Sequence, residues 1–446
     1  MKNGFFMEIS DETQERRLTV DIARNLKENR AYVEELYQGC ADVNLREYTV
    51  KGMGSCLLVY LETTLNTFEI SDLKELKTME EAMRTLLAGN AVLFCEGKDV
   101  AYKVASQGYP HIGVAESQME KVLRGSREGL ADSVKTNVAL VRKRLRTPDL
   151  KVEETFLGEK SDTVVSLVYL KDKVPSGLLE NIKERLSQVQ VDGIMDSGVI
   201  EHLAEEPWYS PFPRFQTIQR PDRAATELLK GRILLMSDNS PVGLLLPTTF
   251  HNFLEASEDT YNRKEIVTLT KIVRYVALIL AMMLSGLYLA VTTFHTQVLP
   301  THLILSFAAA RQGVPFSGLV EILVMEVAFE LIREAGIRMP GPLGGTIGIV
   351  GGLIIGDAAV SANLVSPIVV IIVALTALGS FAIPNDEFAA TFRVLKYGFI
   401  FLGGFLGLFG IVLGIFVVLE HLSGLSSFKI PYLMPYICKE QKDVCR

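Results

Sequence analysis

The chain has 446 residues, 48% of them hydrophobic, and a positive mean hydropathy, which excludes a protein that is soluble along its whole length. The first 260 residues hold 32 Lys/Arg against 41 Asp/Glu and the remainder 13 against 11, so an acidic part precedes an apolar one and a basic nucleic-acid-binding face is excluded. Five cysteines without a CxxC pair (Cys40, Cys56, Cys95, Cys438 and Cys445) argue against a disulfide framework and for a reducing compartment.

In chain order, Met1–Arg17 is charged and lacks the apolar stretch of a leader, from which a cytoplasmic first part is expected. Residues 10–37 carry Leu18, Ile22, Leu26 and Tyr32 at roughly helical spacing. Strands are expected at Cys56–Leu61, Ala91–Cys95 and Asp99–Val104, with a helix at Met79–Leu87 and a basic helix at Lys135–Arg146. A second lobe follows, with a strand at Asp162–Leu170, an amphipathic helix at Leu178–Val189 and a hairpin turning at Asp238-Asn239-Ser240-Pro241. Pro207–Pro221, with four prolines and the only tryptophan, reads as a structured loop.

Beyond residue 263 the pattern is that of membrane spans, each needing about 20 apolar residues. Tyr275–Val291, Leu343–Ala362, Leu364–Ile383 and Gly398–Leu419 qualify, while Phe316–Ala335 is long enough but carries five charges and reads as an amphipathic helix. The fold expected is therefore α+β, a two-lobed soluble N-terminal domain (1–147 and 148–262), then an all-α transmembrane bundle (263–424) and a tail (425–446). Arg263, Lys264, Lys271 and Arg274 before the first span and Lys429, Lys439, Lys442 and Arg446 after the last place both ends in the cytoplasm, leaving Arg393 and Lys396 on the other side.

Several ordered blocks match a known family. Arg124-Gly125-Ser126-Arg127-Glu128-Gly129, running on to Lys135-Thr136-Asn137 and Arg142–Arg146, resembles the "RGPREGF…TN…RRRL" block of spore germination receptor A subunits, with Ser126 in place of proline. Asp192-Gly193-Ile194 with Asp196-Ser197-Gly198, Pro211-Phe212-Pro213 with Arg220-Pro221-Asp222, Ala308–Arg311 with Gly313-Val314-Pro315-Phe316, Phe329–Gly336 and Ser380–Asn385 continue the resemblance over roughly residues 85–436. It implies a ligand-gated monovalent-cation channel subunit in the inner spore membrane. Such a subunit forms homo-oligomers and works with a transporter-like B subunit and a lipoprotein C subunit. A stage V sporulation AF-type paralogue resembles A subunits over the same region and stays open as an alternative.

Asp357 is the sharpest single position. A carboxylate within an apolar helix is costly unless it faces water or a partner, and a ring of such carboxylates favours cations. The other reading places it near enough to a helix end to reach the interface. Gly344, Gly348, Gly352 and Gly356 line one face of that helix at a spacing that allows close packing in lipid. Glu326, Glu330 and Glu334 share one helical face and suggest either a cation-concentrating vestibule or a solvated interfacial surface. Pro367 and Pro384 are candidate hinges or simple helix boundaries. His295 and His302 are too few for a metal site. No enzyme signature or cofactor motif is found, so a secondary transporter and a non-conducting scaffold are the rival functions.

Overall fold

A computed structural model describes residues 21–50, 53–107, 116–117, 120, 125–204, 210–338, 352 and 354–434. The chain divides into two compact units, the first running to Trp208 and resuming over Phe215–Pro247, the second taking Tyr209–Arg214 and the chain from Thr248 onward.

The first unit is mixed α and β and holds two five-stranded antiparallel sheets. Sheet one comprises β1 (Val43–Val50), β2 (Gly54–Leu61), β3 (Leu65–Leu76), β4 (Ala91–Cys95) and β5 (Ala101–Gln107), in the order β1-β2-β4-β5-β3. Helices α1 (Leu26–Leu36) and α2 (Met79–Leu87) cover one face, where Leu57, Val59, Val92 and Phe94 meet Val33, Met83 and Leu86. Alternate side chains point the other way, so Cys56, Leu58, Tyr60, Leu93 and Cys95 form a second buried cluster. Burial on both faces is why β2 and β4 read as unbroken apolar runs.

Helix α3 (Val134–Arg144) opens the second lobe. Sheet two follows with β6 (Leu150–Leu157), β7 (Thr163–Leu170), β8 (Gln216–Ile218), β9 (Ile233–Ser237) and β10 (Gly243–Leu246), in the order β6-β7-β9-β10-β8. Helices α4 (Ser176–Ser187) and α5 (Ser197–Ala204) lie between β7 and β8, and α6 (Pro221–Leu229) precedes β9. Val134, Val138 and Val141 of α3 pack in the core of this sheet. A lobe boundary at 147/148 therefore divides α3 from the strands it packs on. The basic face of α3 disguised its apolar valine face.

Strand order is the same in both sheets, and the matching extends to single hydrogen bonds. Asn29 clasps the backbone of Ala23, its amide donating to the carbonyl at 2.6 Å and its oxygen accepting from the N–H at 3.0 Å; Asn137 does the same to Ala131 at 2.7 Å each way. The first N–H of α1 donates to the Glu96 carboxylate at 3.0 Å, and that of α3 to Asp238 at 2.9 Å. The next residues, Gly97 and Asn239, both have positive φ and donate their N–H to the carbonyls of Arg24 and Asp132. The first unit is thus a structural duplication, the second copy lengthened by the insertion that carries α4 and α5.

Ion pairs on α3 join the copies. Arg142 forms a two-pronged pair with Asp42, both side chains at most 2% exposed, and Lys135 reaches Glu62 at 2.5 Å. Burial opposes the Glu128 carboxylate, yet hydrogen bonds from Lys143 and Arg144 outweigh it and hold its acidity below the ordinary glutamate range. The basic helix is consumed by internal pairing.

Within the second unit, α7 (Phe250–Phe253) leads to α8 (Lys264–Thr293), then α9 (Thr301–Ala310), α10 (Gly318–Arg338), the helical residues 354–361 (α11), α12 (Pro367–Phe381) and α13 (Asp386–Gly424). Among the described residues α8 and α13 are long and apolar enough to cross a bilayer. Straight, the 39 residues of α13 would extend about 58 Å, twice the hydrocarbon thickness. Instead the chain reverses at Gly407 (φ 64°, ψ −146°). A Cβ on Gly414 would lie 2.9 Å from the Phe399 ring, and Phe212 sits 5.9 Å from the rings of both Phe392 and His421. Residues 386–406 and 408–424 are therefore antiparallel limbs, and the apolar run Gly398–Leu419 is shared between them. Of the other expected spans, Leu364–Ile383 contains α12, and Leu343–Ala362 lies partly outside the described residues.

A buried ion pair among four helices

Close helix contact requires residues without side chains at the crossings. A Cβ on Gly403 would strike the Gly286 carbonyl, one on Gly286 the Phe399 carbonyl, and one on Gly379 would come 2.7 Å from the Ala277 carbonyl. These glycines draw α12 and the first limb of α13 onto α8, as small residues do in membrane helices.

At the centre of this packing, four helices each contribute one polar side chain: Ser285 from α8, Glu326 from α10, Thr376 from α12 and Lys396 from α13. Each is no more than 3% exposed. Lys396 Nζ donates to Glu326 Oε2 at 2.6 Å, Ser285 Oγ donates to Glu326 Oε1 at 2.8 Å, and the Ser285 and Thr376 hydroxyls are 3.2 Å apart. Lys396 Nζ also lies 5.2 Å from the centre of the Tyr397 ring. A charge pair in apolar surroundings survives only when its members satisfy each other, and here the Ser285 hydroxyl also takes the second carboxylate oxygen of Glu326. A second buried carboxylate, Glu321, accepts the Ser366 N–H at 2.9 Å and pairs with Arg311 at 3.1 Å.

The positions singled out in the sequence are placed as follows. Helix α10 turns Glu321, Ile322, Met325 and Glu326 inward. Glu326 is thereby parted from Glu330, which pairs half-buried with Arg333, and from exposed Glu334, which pairs with Arg338. Asp357 lies exposed on α11, next to Gly356, where a Cβ would meet Val370 of α12 at 3.6 Å. Gly352 is exposed and has open space around it; Gly344 and Gly348 lie outside the described residues. Pro367 is the first residue of α12, following Ser366, whose side chain makes no capping hydrogen bond, and Pro384 lies in the short connection to α13, whose cap Asn385 accepts the Phe388 N–H at 2.8 Å. No group of metal-ligating side chains occurs among the described residues, and His295 bonds the Ala290 carbonyl at 3.3 Å.

The sequence reading missed Lys396, Ser285, Thr376 and Glu321. For Lys396 the signal was present: a lone lysine between Val394-Leu395 and Tyr397-Gly398, among residues too apolar for a loop. Placing it on the far side of the membrane obscured its pairing with an acid on another helix.

A mixed α/β unit joined to an apolar helical unit, with two helices long and apolar enough to cross a bilayer among the described residues, defines a membrane-associated protein. The chain belongs to the Bacillus/Clostridium GerA spore germination protein family, whose profile matches residues 7–446. It is 37% identical to the uncharacterized membrane protein YfkQ of Bacillus subtilis (strain 168), over 95% of this chain and 89% of that one. To spore germination protein A1 of the same organism it is 38% identical over 82% of this chain and 76% of that one, and to spore germination protein KA 38% over 83% and 68%. The crystal structure of the N-terminal domain of the A subunit of the Bacillus megaterium spore germinant receptor GerK3 aligns with 52% of this chain and 98% of its own, at TM-score 0.40 and 23% identity.

Proposed function

We propose that this chain is the A subunit of a spore germinant receptor and that copies of it assemble around a path for monovalent cations in the inner membrane of the spore. In this reading the N-terminal unit is cytoplasmic, transporter-like B and lipoprotein C subunits are its partners, and their signal opens the path. The observation that carries the proposal is Asp357, a carboxylate exposed on a helix whose neighbouring Ile354 and Ile355 are also exposed. Facing hydrocarbon, an ionised group would cost several kcal/mol, about 2.5–3.5 on insertion scales. Repeated around an axis it would instead line water and attract cations. The open surface at Gly352, shortly before that helix, leaves room for a neighbouring copy.

The test is cation flux through vesicles containing the purified receptor, wild type against Asp357→Asn. A loss of at least several-fold in potassium flux, with unfolding midpoint and oligomer size unchanged, is the expected result. Equal flux and selectivity in the variant would remove Asp357 from the path, and a protein that stays monomeric would remove the path itself.

A further inference from the structure

We infer that Cys56 and Cys95 form a reversible disulfide that locks sheet one of the N-terminal unit when the protein meets a peroxide. The two residues are directly opposed in the β2–β4 ladder, and their Sγ atoms lie 2.8 Å apart. The Glu96 N–H donates to the Ser55 carbonyl at 2.9 Å, so Ser55 and Glu96 are the hydrogen-bonded pair at the end of the ladder. Alternation makes Cys56 and Cys95 a non-hydrogen-bonded pair, the kind in which facing Cα atoms come within about 4.5 Å and side chains approach most closely. That separation lies inside the range a disulfide spans.

Position also decides selectivity. Both cysteines are at most 1% exposed, in the cluster on the sheet face away from α1 and α2, but Ser55 and Glu96 beside them are exposed. Fraying of this ladder end, together with Val50, Met53 and Val100 that pack on the cluster, brings both thiols to solvent, and closing it presses them together. Burial, and then the neighbouring thiol, push the Cys95 thiol up to about 12, so the closed sheet protects it and reaction follows opening. The amine of Lys98, 2.9 Å from the Tyr102 hydroxyl, lies close enough to favour the thiolate.

The chemistry balances with hydrogen peroxide alone. One thiolate attacks a peroxide oxygen, the O–O bond breaks, and a sulfenic acid forms with release of water after proton transfer. The second thiol attacks that sulfur, the S–S bond forms and a second water leaves, so both sulfurs are oxidised and the peroxide is reduced. A dithiol reductant reverses the bond. The crosslink ties the second strand to the fourth in the copy that carries Asp42 and Glu62, the two acids that receive Arg142 and Lys135.

Purified full-length receptor in detergent is treated with hydrogen peroxide, capped with an alkylating agent, digested with trypsin and mapped by mass spectrometry. The expected product is the peptide ending at Lys74 joined to that ending at Lys98, about 2 Da lighter than the two thiol peptides together, and lost on reduction. The unfolding midpoint rises by several degrees on oxidation and returns with dithiothreitol, and neither change occurs in Cys95→Ala. The proposal is overturned if both thiols remain alkylatable after peroxide, if either is instead driven to sulfinic acid or joined to another cysteine, or if the linked protein unfolds at the unlinked midpoint.

Discussion

Glu326 and Lys396 show how much one residue can depend on another. Neither charge touches bulk water, and each neutralises the other across two helices. Glu326→Gln leaves an ammonium buried without its counter-ion, and such a loss costs about 3–5 kcal/mol. Replacing both, as Glu326→Gln with Lys396→Met, removes the stranded charge and is expected to recover most of that stability. Thermal unfolding of these two purified variants against the wild type measures it; equal losses in the single and double variants would mean the two side chains are not coupled. Ser285 and Thr376 could not have been singled out from sequence, because hydroxyl residues in apolar helices commonly bond their own backbone. Thr376 does so to Ile372, at 2.9 Å. Only folding brings them to the ion pair.

Among elements, the glycines decide how the helices meet. Gly407 adopts a backbone conformation that residues with a Cβ rarely take, and a Cβ there would also come 3.0 Å from His295 Cε1 and 3.1 Å from Phe294 Cβ. Gly407→Ala is expected to cost about 1–3 kcal/mol. Gly398→Ala, on the first limb with open space around it, serves as the neutral control. Comparing unfolding midpoints in detergent checks the pair, and equal midpoints would contradict the reversal. The strands divide by position in the same physical way. Central strands β2, β4, β7, β9 and β10 are apolar on both faces and were legible as runs. Edge strands β1, β3, β6 and β8 were not, since sequences such as Val-Asn-Leu-Arg-Glu-Tyr-Thr-Val in β1 and Leu-Lys-Val-Glu-Glu-Thr-Phe-Leu in β6 mix charges into a half-solvated surface. The duplication escaped notice because the inserted α4 and α5 break any fixed repeat length. Its clearest trace, Ala-x3-Lys-x-Asn-x-Ala-x-Val at Ala23–Val33 and again at Ala131–Val141, is short.

At the scale of the whole molecule, the first unit is legible as mixed α/β from its runs and turns, whereas the helical unit is not legible as a simple count of apolar segments. Hydropathy reports how apolar a stretch is and is blind to whether it goes straight or doubles back. In the second unit, the limb after Gly407 brings the chain back to the aromatic cluster of Phe212, Phe250, Phe253 and Phe388, where Tyr432 donates its hydroxyl to the Pro213 carbonyl at 2.8 Å. Single cysteines placed at Glu387 and Ser423 in a cysteine-free background are therefore expected to react with a membrane-impermeant maleimide from one and the same side of sealed vesicles. Labelling from opposite faces would show that residues 386–424 cross only once.

That return fixes the parity of the chain. Whatever depth the two limbs reach, the number of crossings made between Asp386 and Gly424 is even. The last segment therefore emerges on the side where the first limb entered, and the basic residues at the two ends of the helical unit need not be counted to know that this hairpin leaves the orientation of the tail unchanged.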